Sequence, residues 1–206
     1  MVEKVMDPAC PHCDGRSFAL EHPLVTTENF RVVCDGNPLT EGHILIIPKW
    51  HISCMGALPP ELFDEFANLY KDVTEFLVAQ YGSVNSFEHG VIGQTVFHAH
   101  MHLLPLRTDI RRIVPEMQHL REISSIGDLS AEYDKENKYL FCSVGTASYL
   151  VDTSIGTTRF FRDRFAKALS HPERGDWKAM RENDAIMDDV RRDIRRLKDK
   201  WRLAHV

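Results

Sequence analysis

Three histidines alternate with apolar residues in Phe97-His98-Ala99-His100-Met101-His102-Leu103. Successive side chains of a strand point to opposite faces, so His98, His100 and His102 share one side while Phe97, Ala99, Met101 and Leu103 pack on the other. A lone histidine in such a place most often just faces water. Three in strict alternation point to one of two chemistries. One is a metal held by imidazoles. The other is a phosphorus centre attacked by a neutral imidazole while neighbouring groups neutralise charge on the phosphoryl oxygens. The residues just upstream, Gly90-Val91-Ile92-Gly93-Gln94-Thr95, favour the second, because flexible backbone beside two hydrogen-bonding side chains can hold an anion.

Cys10-Pro11-His12-Cys13 offers further chemistry. A cysteine pair at this spacing occurs in redox and in zinc sites alike. A closed zinc site needs four ligands, so two thiolates require two more donors from elsewhere in the chain, with His12 as a competitor inside the pair. The chain has five cysteines, an odd number unlike a secreted disulfide framework. Cys34, Cys54 and Cys142 read as small buried hydrophobes.

Positioning the histidine strand requires a sheet and a cover for its apolar face. Residues 30–34 and 43–47 are β-rich runs separated by the turn-forming Asp35-Gly36-Asn37-Pro38, and Pro48 ends the second. From residue 59 to about 81, Leu62, Phe66, Leu69, Val73 and Phe76 recur at spacings of three and four, which predicts a long helix closed by Gly82. Strands are predicted over 83–88 and 97–106, with Gly90 and Gly93 breaking the path between them. The segment before Phe30 reads as an ordered lead-in. Further on, 139–144 and 148–151 suit a hairpin across Gly145, and 159–169 and 184–203 read as helices. The pattern is α+β.

With 206 residues, 43% hydrophobic and 27% charged, the chain suits one core with an appendage. Its formal charge of -5 gives no general attraction to nucleic acid or to an anionic membrane. No run approaches the roughly 18 apolar residues of a membrane span, and no secretory signal is evident at the start, so the expectation is a cytoplasmic protein.

At this point a resemblance can be stated. The stretch Gly93-Gln94-Thr95-Val96-Phe97-His98-Ala99-His100-Met101-His102-Leu103-Leu104-Pro105 resembles the signature of the histidine triad family. Asp35-Gly36-Asn37-Pro38, followed by Gly42-His43-Ile44-Leu45-Ile46-Ile47-Pro48-Lys49-Trp50-His51, resembles its second block. The similarity spans about residues 10–106. It implies an α+β fold with an antiparallel sheet, and nucleotide hydrolysis or transfer at the α-phosphate. By resemblance, His100 is the nucleophile that forms a nucleotidyl-histidine, and His102 contacts the phosphate. Gln94 and Thr95 hold the phosphate or leaving group, and Asp35 matches the residue that bonds the ribose hydroxyls. The resemblance also implies a structural Zn2+ held by Cys10, Cys13, His51 and His98, and pairing into homodimers. One departure stands out: where better-known hydrolase branches carry Asn or Gln some thirteen residues before the nucleophile, this chain has Phe87, followed by Glu88-His89-Gly90. Either Glu88 or His89 serves instead, or the leaving group differs.

The expected activity is hydrolysis of a dinucleoside polyphosphate or nucleoside phosphoramidate. The alternatives are a nucleotidyltransferase or phosphorylase, or a nucleotide-binding regulatory protein kept in view by Phe87. Residues 1–110 would carry the catalytic part with its zinc segment, and 111–206 a mixed or helical C-terminal extension packed on that core. Arg107, Arg111 and Arg112 follow the histidine strand and are placed to meet a polyphosphate tail. The basic run 191–202 reads as a solvated amphipathic helix rather than a nucleic-acid site.

Overall fold

The structure, a computed structural model, describes residues 5–205. In chain order the elements are α1 (Pro11–Asp14), β1 (Pro23–Thr26), β2 (Phe30–Cys34), β3 (Ile44–Pro48), α2 (Pro60–Tyr81), β4 (Asn85–Glu88) and β5 (Met101–Leu104). They continue with α3 (Ile110–Ile113), β6 (Leu120–Ile123), α4 (Asp128–Glu136), β7 (Leu140–Val144), β8 (Ala147–Val151), α5 (Phe160–Ala168), α6 (Trp177–Arg181) and α7 (Asp184–Ala204). The eight strands form one sheet in the order β1-β2-β3-β5-β4-β7-β8-β6. Every neighbouring pair is antiparallel. The fold is α+β, with β4 joining the strands of the first half to β7.

Strand parity sorts the side chains between two faces. Phe30, Val32, Ile44, Ile46, Met101, Leu103 and Phe141 share a core with Phe66, Val73 and Phe76 of α2 and with Ile194, Leu197 and Trp201 of α7. The long apolar stripe of α2 therefore covers this face, and its C-terminal Gly82 sits at φ 76°, a left-handed turn that only glycine adopts freely. Phe76 meets Trp201 at 4.7 Å between ring centroids, so the apolar stripe of α7 is buried on α2 while its charged side faces solvent. On the opposite face, Phe87, Leu104, Leu140 and Cys142 pack with Phe160, Phe161 and Phe165 of α5. Beside that second core, still on the same face, lie His43, His102 and Asp35, the residue after β2.

Several sequence expectations change in detail. The histidine strand is shorter than predicted: regular pairing covers only Met101–Leu104. Before it the chain bends, with the Ala99 N–H donating to the Ile52 carbonyl at 2.7 Å. The alternation of faces survives, since Ala99, Met101 and Leu103 are buried in the α2 core. Phe97 does not pack and is 67% exposed. Strands β1 and β6 and helix α4 were not expected; β1 is mostly exposed, and α4 buries only Leu129, so neither carries a clear apolar period.

Glu88 is fully buried on β4. One carboxyl oxygen accepts the Met55 N–H at 2.9 Å and the other accepts the Tyr139 hydroxyl, which itself accepts the Gly56 N–H at 2.8 Å. This network ties the turn after β3 to β4 and to the start of β7. Gly56 has to be glycine, because a Cβ there would lie 2.6 Å from the Leu129 carbonyl oxygen. Burial raises the Glu88 carboxyl from 4.5 to about 7, although the bonds from Tyr139 and Met55 pull the other way. A carboxyl raised on folding stays protonated in the folded chain while the unfolded chain ionises, so stability falls as pH rises from 4.5 to about 7. At about 1.4 kcal/mol per pH unit the loss is on the order of 3 kcal/mol. Buried histidines such as His43, lowered to about 4, act in the opposite sense over the same range, so the test is a comparison. The stability of the wild type relative to Glu88→Gln, from urea denaturation, should fall by that amount between pH 4 and 8, and parallel pH profiles would remove Glu88 as the cause.

Candidate functional site

The site begins in the loop between β2 and β3. The Asn37 N–H donates to Asp35 Oδ1 at 2.8 Å, a side-chain turn that bends the chain at Gly36. A Cβ at Gly36 would lie 2.8 Å from the Phe18 carbonyl oxygen, so the N-terminal segment can close on the loop only because this position is glycine. Asp35 and His43 then lie beside His102 of β5, and all three are buried.

Hydrogen bonds fix the imidazole tautomers. The Leu39 N–H donates to His43 Nδ1 at 3.1 Å, so that nitrogen is an acceptor and Nε2 carries the proton. His43 Nε2–H then donates to His102 Nδ1 at 2.9 Å, which leaves the His102 proton on Nε2. That Nε2 is buried and has no partner among the described residues. His100 is half-buried, and its Nδ1–H donates to the His98 carbonyl at 2.6 Å, leaving the Nε2 lone pair free. Burial lowers His43 to about 4 and also lowers His100 and His102, with the neighbouring imidazoles adding to the shift at His102. The structure thus sets a free imidazole lone pair beside a neutral N–H donor, with ring centroids 5.0 Å apart.

Asp35 is held by a residue 127 positions away. Arg162 of α5 donates from Nη1 to Asp35 Oδ2 at 2.9 Å and from Nη2 to the Asn37 carbonyl at 2.8 Å. Burial works to raise the Asp35 carboxyl, but Arg162, His43 and the Asn37 N–H outweigh it and hold the group below its ordinary range. Removing one partner of such a buried pair typically costs about 3–5 kcal/mol.

A pocket opens here, lined among others by His12, Asp35, Asn37, Thr95, His100, His102, Arg162 and Trp177. Thr95 accepts a hydrogen bond from Trp177 Nε1 at 3.3 Å, and Gly93 presses on the chain before α5, where a Cβ would fall 2.2 Å from the Thr157 carbonyl oxygen. Gln94 turns aside: its Nε2 donates to the Ser53 carbonyl at 2.9 Å, and its Oε1 is buried without a partner among the described residues.

A second cluster adjoins the pocket. Cys10, Cys13, His51 and His98 bring their donor atoms within 4.8 Å of one another. His98 Nδ1 lies 3.4 Å from Cys10 Sγ and 3.5 Å from Cys13 Sγ, and His51 Nδ1 lies 3.5 Å from Cys13 Sγ. A tetrahedral centre with metal–sulfur bonds of about 2.3 Å and metal–nitrogen bonds of about 2.0 Å has sulfur–nitrogen edges of about 3.5 Å, so this donor set fits a four-coordinate metal. His98 Nε2–H donates to the Pro48 carbonyl at 2.8 Å, which frees Nδ1 to face the thiols, the outer-shell arrangement usual for a ligating imidazole. His12 stands apart from the four donors. Its ring lies 5.4 Å from that of His98 and 5.7 Å from that of His100, and its buried Nδ1 has no partner among the described residues.

The departure at Phe87 now has a physical reading: its ring stacks on His102 at 4.2 Å and 14° and on Phe165 at 5.1 Å. Glu88 points away into the network of Met55 and Tyr139, whereas His89 lines the pocket and accepts the Phe161 N–H at its Nε2, 3.2 Å away. The arginines expected to meet a polyphosphate tail are elsewhere, because β5 runs away from the site. Arg112 reaches the Ala168 carbonyl at 3.3 Å, and Arg107 packs against Gly82. The pocket's arginines are Arg159 and Arg162 instead. Sequence reading also missed the task of His43, for which the only signal was its place in the Gly42-His43 block.

Residues 20–109 match the family model described as the HIT domain. An uncharacterised HIT-like protein of Chlamydia trachomatis is 35% identical over 82 residues, which are 37% of this chain and 73% of that protein. The chain belongs to the histidine triad (HIT) family. It is also similar to an adenylylsulfatase of Arabidopsis thaliana, 33% identical over 78 residues that make up 35% of this chain and 39% of that protein. An adenosine 5'-monophosphoramidase of Saccharomyces cerevisiae is 29% identical over 105 residues, 50% of this chain and 66% of that protein. The chain thus spans less than two thirds of the length of either of these named enzymes.

The hydrogen-bond chain through His43 makes a prediction that needs no substrate. In the wild type, nitrogen chemical shifts should show His102 as a single neutral tautomer protonated at Nε2, and His43→Phe should give a mixture of both tautomers. An unchanged single tautomer in the variant would take His43 out of this role.

Proposed function

We propose that the chain is a nucleotide hydrolase that cleaves at the α-phosphate of a nucleoside phosphate derivative through a nucleotidyl-histidine intermediate. The observation that carries this reading is the free Nε2 lone pair of His100 beside the unpartnered Nε2–H of His102, in a pocket that Asp35 and Thr95 also line. His100 Nε2 attacks phosphorus and the bond to the leaving group breaks, the leaving group keeping the electron pair. Water then displaces His100, whose lone pair is restored, and a nucleoside monophosphate and a proton are released. His102 donates to a phosphoryl oxygen as charge develops there. Asp35, Gln94 and Thr95 complete the substrate-binding set, Gln94 by turning its amide from the Ser53 carbonyl towards the pocket.

Two relatives are named as an adenylylsulfatase and an adenosine 5'-monophosphoramidase, so adenylyl sulfate and adenosine phosphoramidate head the substrate panel, with dinucleoside polyphosphates beside them. Cys10, Cys13, His51 and His98 would hold a structural Zn2+, whose part is to fix the N-terminal segment next to the pocket. The reading assigns catalysis to residues 1–110 and the role of a packed extension to 111–206. No helix among the described residues is long and apolar enough to cross a membrane. A cytoplasmic setting and a homodimer complete the proposal. Nucleic acid is not part of it, since cations of α7 such as Arg191, Arg192 and Lys200 pair with carboxylates.

His100→Asn should lower turnover by on the order of 10⁴-fold or more while nucleotide binding stays measurable by calorimetry. Turnover at the wild-type rate would remove His100 from the mechanism. For the metal, elemental analysis should find one zinc per wild-type chain and none in Cys13→Ser, and the variant should unfold at lower temperature, because structural zinc binding is part of the folding free energy. A metal-free wild type of unchanged melting temperature would exclude the zinc assignment.

A further inference from the structure

Asn37 sits at the pocket with nothing to bond. It is 1% exposed, and neither its Oδ1 nor its Nδ2 has a partner among the described residues. Its backbone is fixed on both sides: the N–H donates to Asp35 Oδ1 at 2.8 Å and the carbonyl accepts from Arg162 Nη2 at 2.8 Å. Pro38 follows and restricts the conformation of the residue before it. The open amide therefore does not result from a loose loop. Buried polar groups are nearly always paired, so an amide with both ends open at a pocket wall is completed by a bound group.

The chemistry of that group can be narrowed. A primary amide offers donors and an acceptor on one rigid plane. A phosphate only accepts and would set its charge against Oδ1. The neighbouring carboxylate of Asp35 is already neutralised by Arg162, so the wall carries no net attraction for a cation. What fits is a neutral group that both donates and accepts, which a nucleotide offers at its ribose hydroxyls and at the hydrogen-bonding edge of its base. We propose that Asn37 reads the nucleoside of the substrate, and that Arg162 is the positioning residue that holds it there; this rests on the nucleotide reading above. Arg162 Nε and Nη2 also face the Gly175 and Arg174 carbonyls, each at 3.4 Å, so its guanidinium touches protein groups on several sides and acts through the loop rather than on the ligand.

The test uses the full-length protein with adenosine 5'-phosphoramidate, its 2'-deoxy and 3'-deoxy forms, and the inosine analogue. Binding of the four corresponding monophosphates is measured in parallel by calorimetry. Asn37→Ala should reduce kcat/KM for the parent substrate about 2- to 12-fold, the effect of one neutral hydrogen bond, with the loss in KM. The penalty for one analogue should also collapse in the variant: a deoxy form if the partner is a ribose hydroxyl, the inosine form if it is the base edge. Arg162→Lys keeps the charge beside Asp35 without the two-armed contact. It should raise KM less, and the analogue penalty that collapses in Asn37→Ala should shrink in Arg162→Lys as well, because both changes act on the same interaction. If every analogue penalty is the same in wild type and Asn37→Ala, the proposal fails. Monophosphate binding with the expected Asn37 dependence but no turnover would overturn the hydrolase reading alone, and no binding by the wild type would overturn both.

Discussion

A guanidinium taken out of water must find partners for its charge and its donors, and Arg162 finds them in the loop between β2 and β3. Its contacts to Asp35 and the Asn37 carbonyl lie across 127 and 125 residues of sequence. The consequence runs in both directions. The loop keeps an ionised aspartate in the interior only because a cation faces it, and α5 keeps its arginine buried only because that aspartate is there. Around this pair the geometry of the site is settled: Asp35 also faces His43 at 3.5 Å, and His43 in turn fixes His102.

The second constraint is burial without protonation. The imidazoles at the site all sit below their ordinary range, chiefly through desolvation. A neutral imidazole has one donor and one acceptor, so each backbone contact decides which nitrogen faces the pocket. Leu39 does this for His43 and the His98 carbonyl does it for His100. Phe87 gives the other half of the explanation. An amide in its place would offer a further hydrogen bond, whereas a ring stacked on His102 and Phe165 excludes water and leaves His102 polarised only through Nδ1. The departure from the more familiar pattern thus bears on the setting of His102, whereas His100 is oriented by the His98 carbonyl.

Much of this was legible in the residues, where the signal is local. The four-spaced apolar residues of α2 and the β-branched runs of β2 and β3 each specify an element from within a few residues. The parity of the histidine run held even where the strand itself failed at residues 98–100, because Ala99, Met101 and Leu103 needed the α2 core. What could not be read were contacts that depend on tertiary placement. Nothing in residues 159–164 marks Arg162 as the partner of Asp35 rather than one more charge on a helix. Arg107, Arg111 and Arg112 looked well placed by sequence distance, yet none of them lines the pocket. Glu88 and His89 are adjacent, yet Glu88, the last residue of β4, enters a structural network while His89, just past the strand, is held at the pocket by the Phe161 N–H.

Part of the pocket's wall comes from outside the part of the chain that matches the family. Phe18 of the N-terminal segment meets Trp177 of α6 at 5.1 Å, and the Arg181 guanidinium lies 4.0 Å over the Phe18 ring. The Cys10–Cys13 turn that sets His12 beside His100 also precedes the matched residues, and Arg159 and Arg162 lie well beyond them. His100, His102 and Asp35 thus belong to the shared core together with most of the pocket's lining, and the flanks supply the remaining surfaces. Among the flanking residues, Arg162 reaches the imidazoles, through Asp35 to His43 and on to His102. Similarity over residues 20–109 therefore covers the histidine strand and the loop between β2 and β3, but not the flanking side chains that complete the pocket and hold that loop.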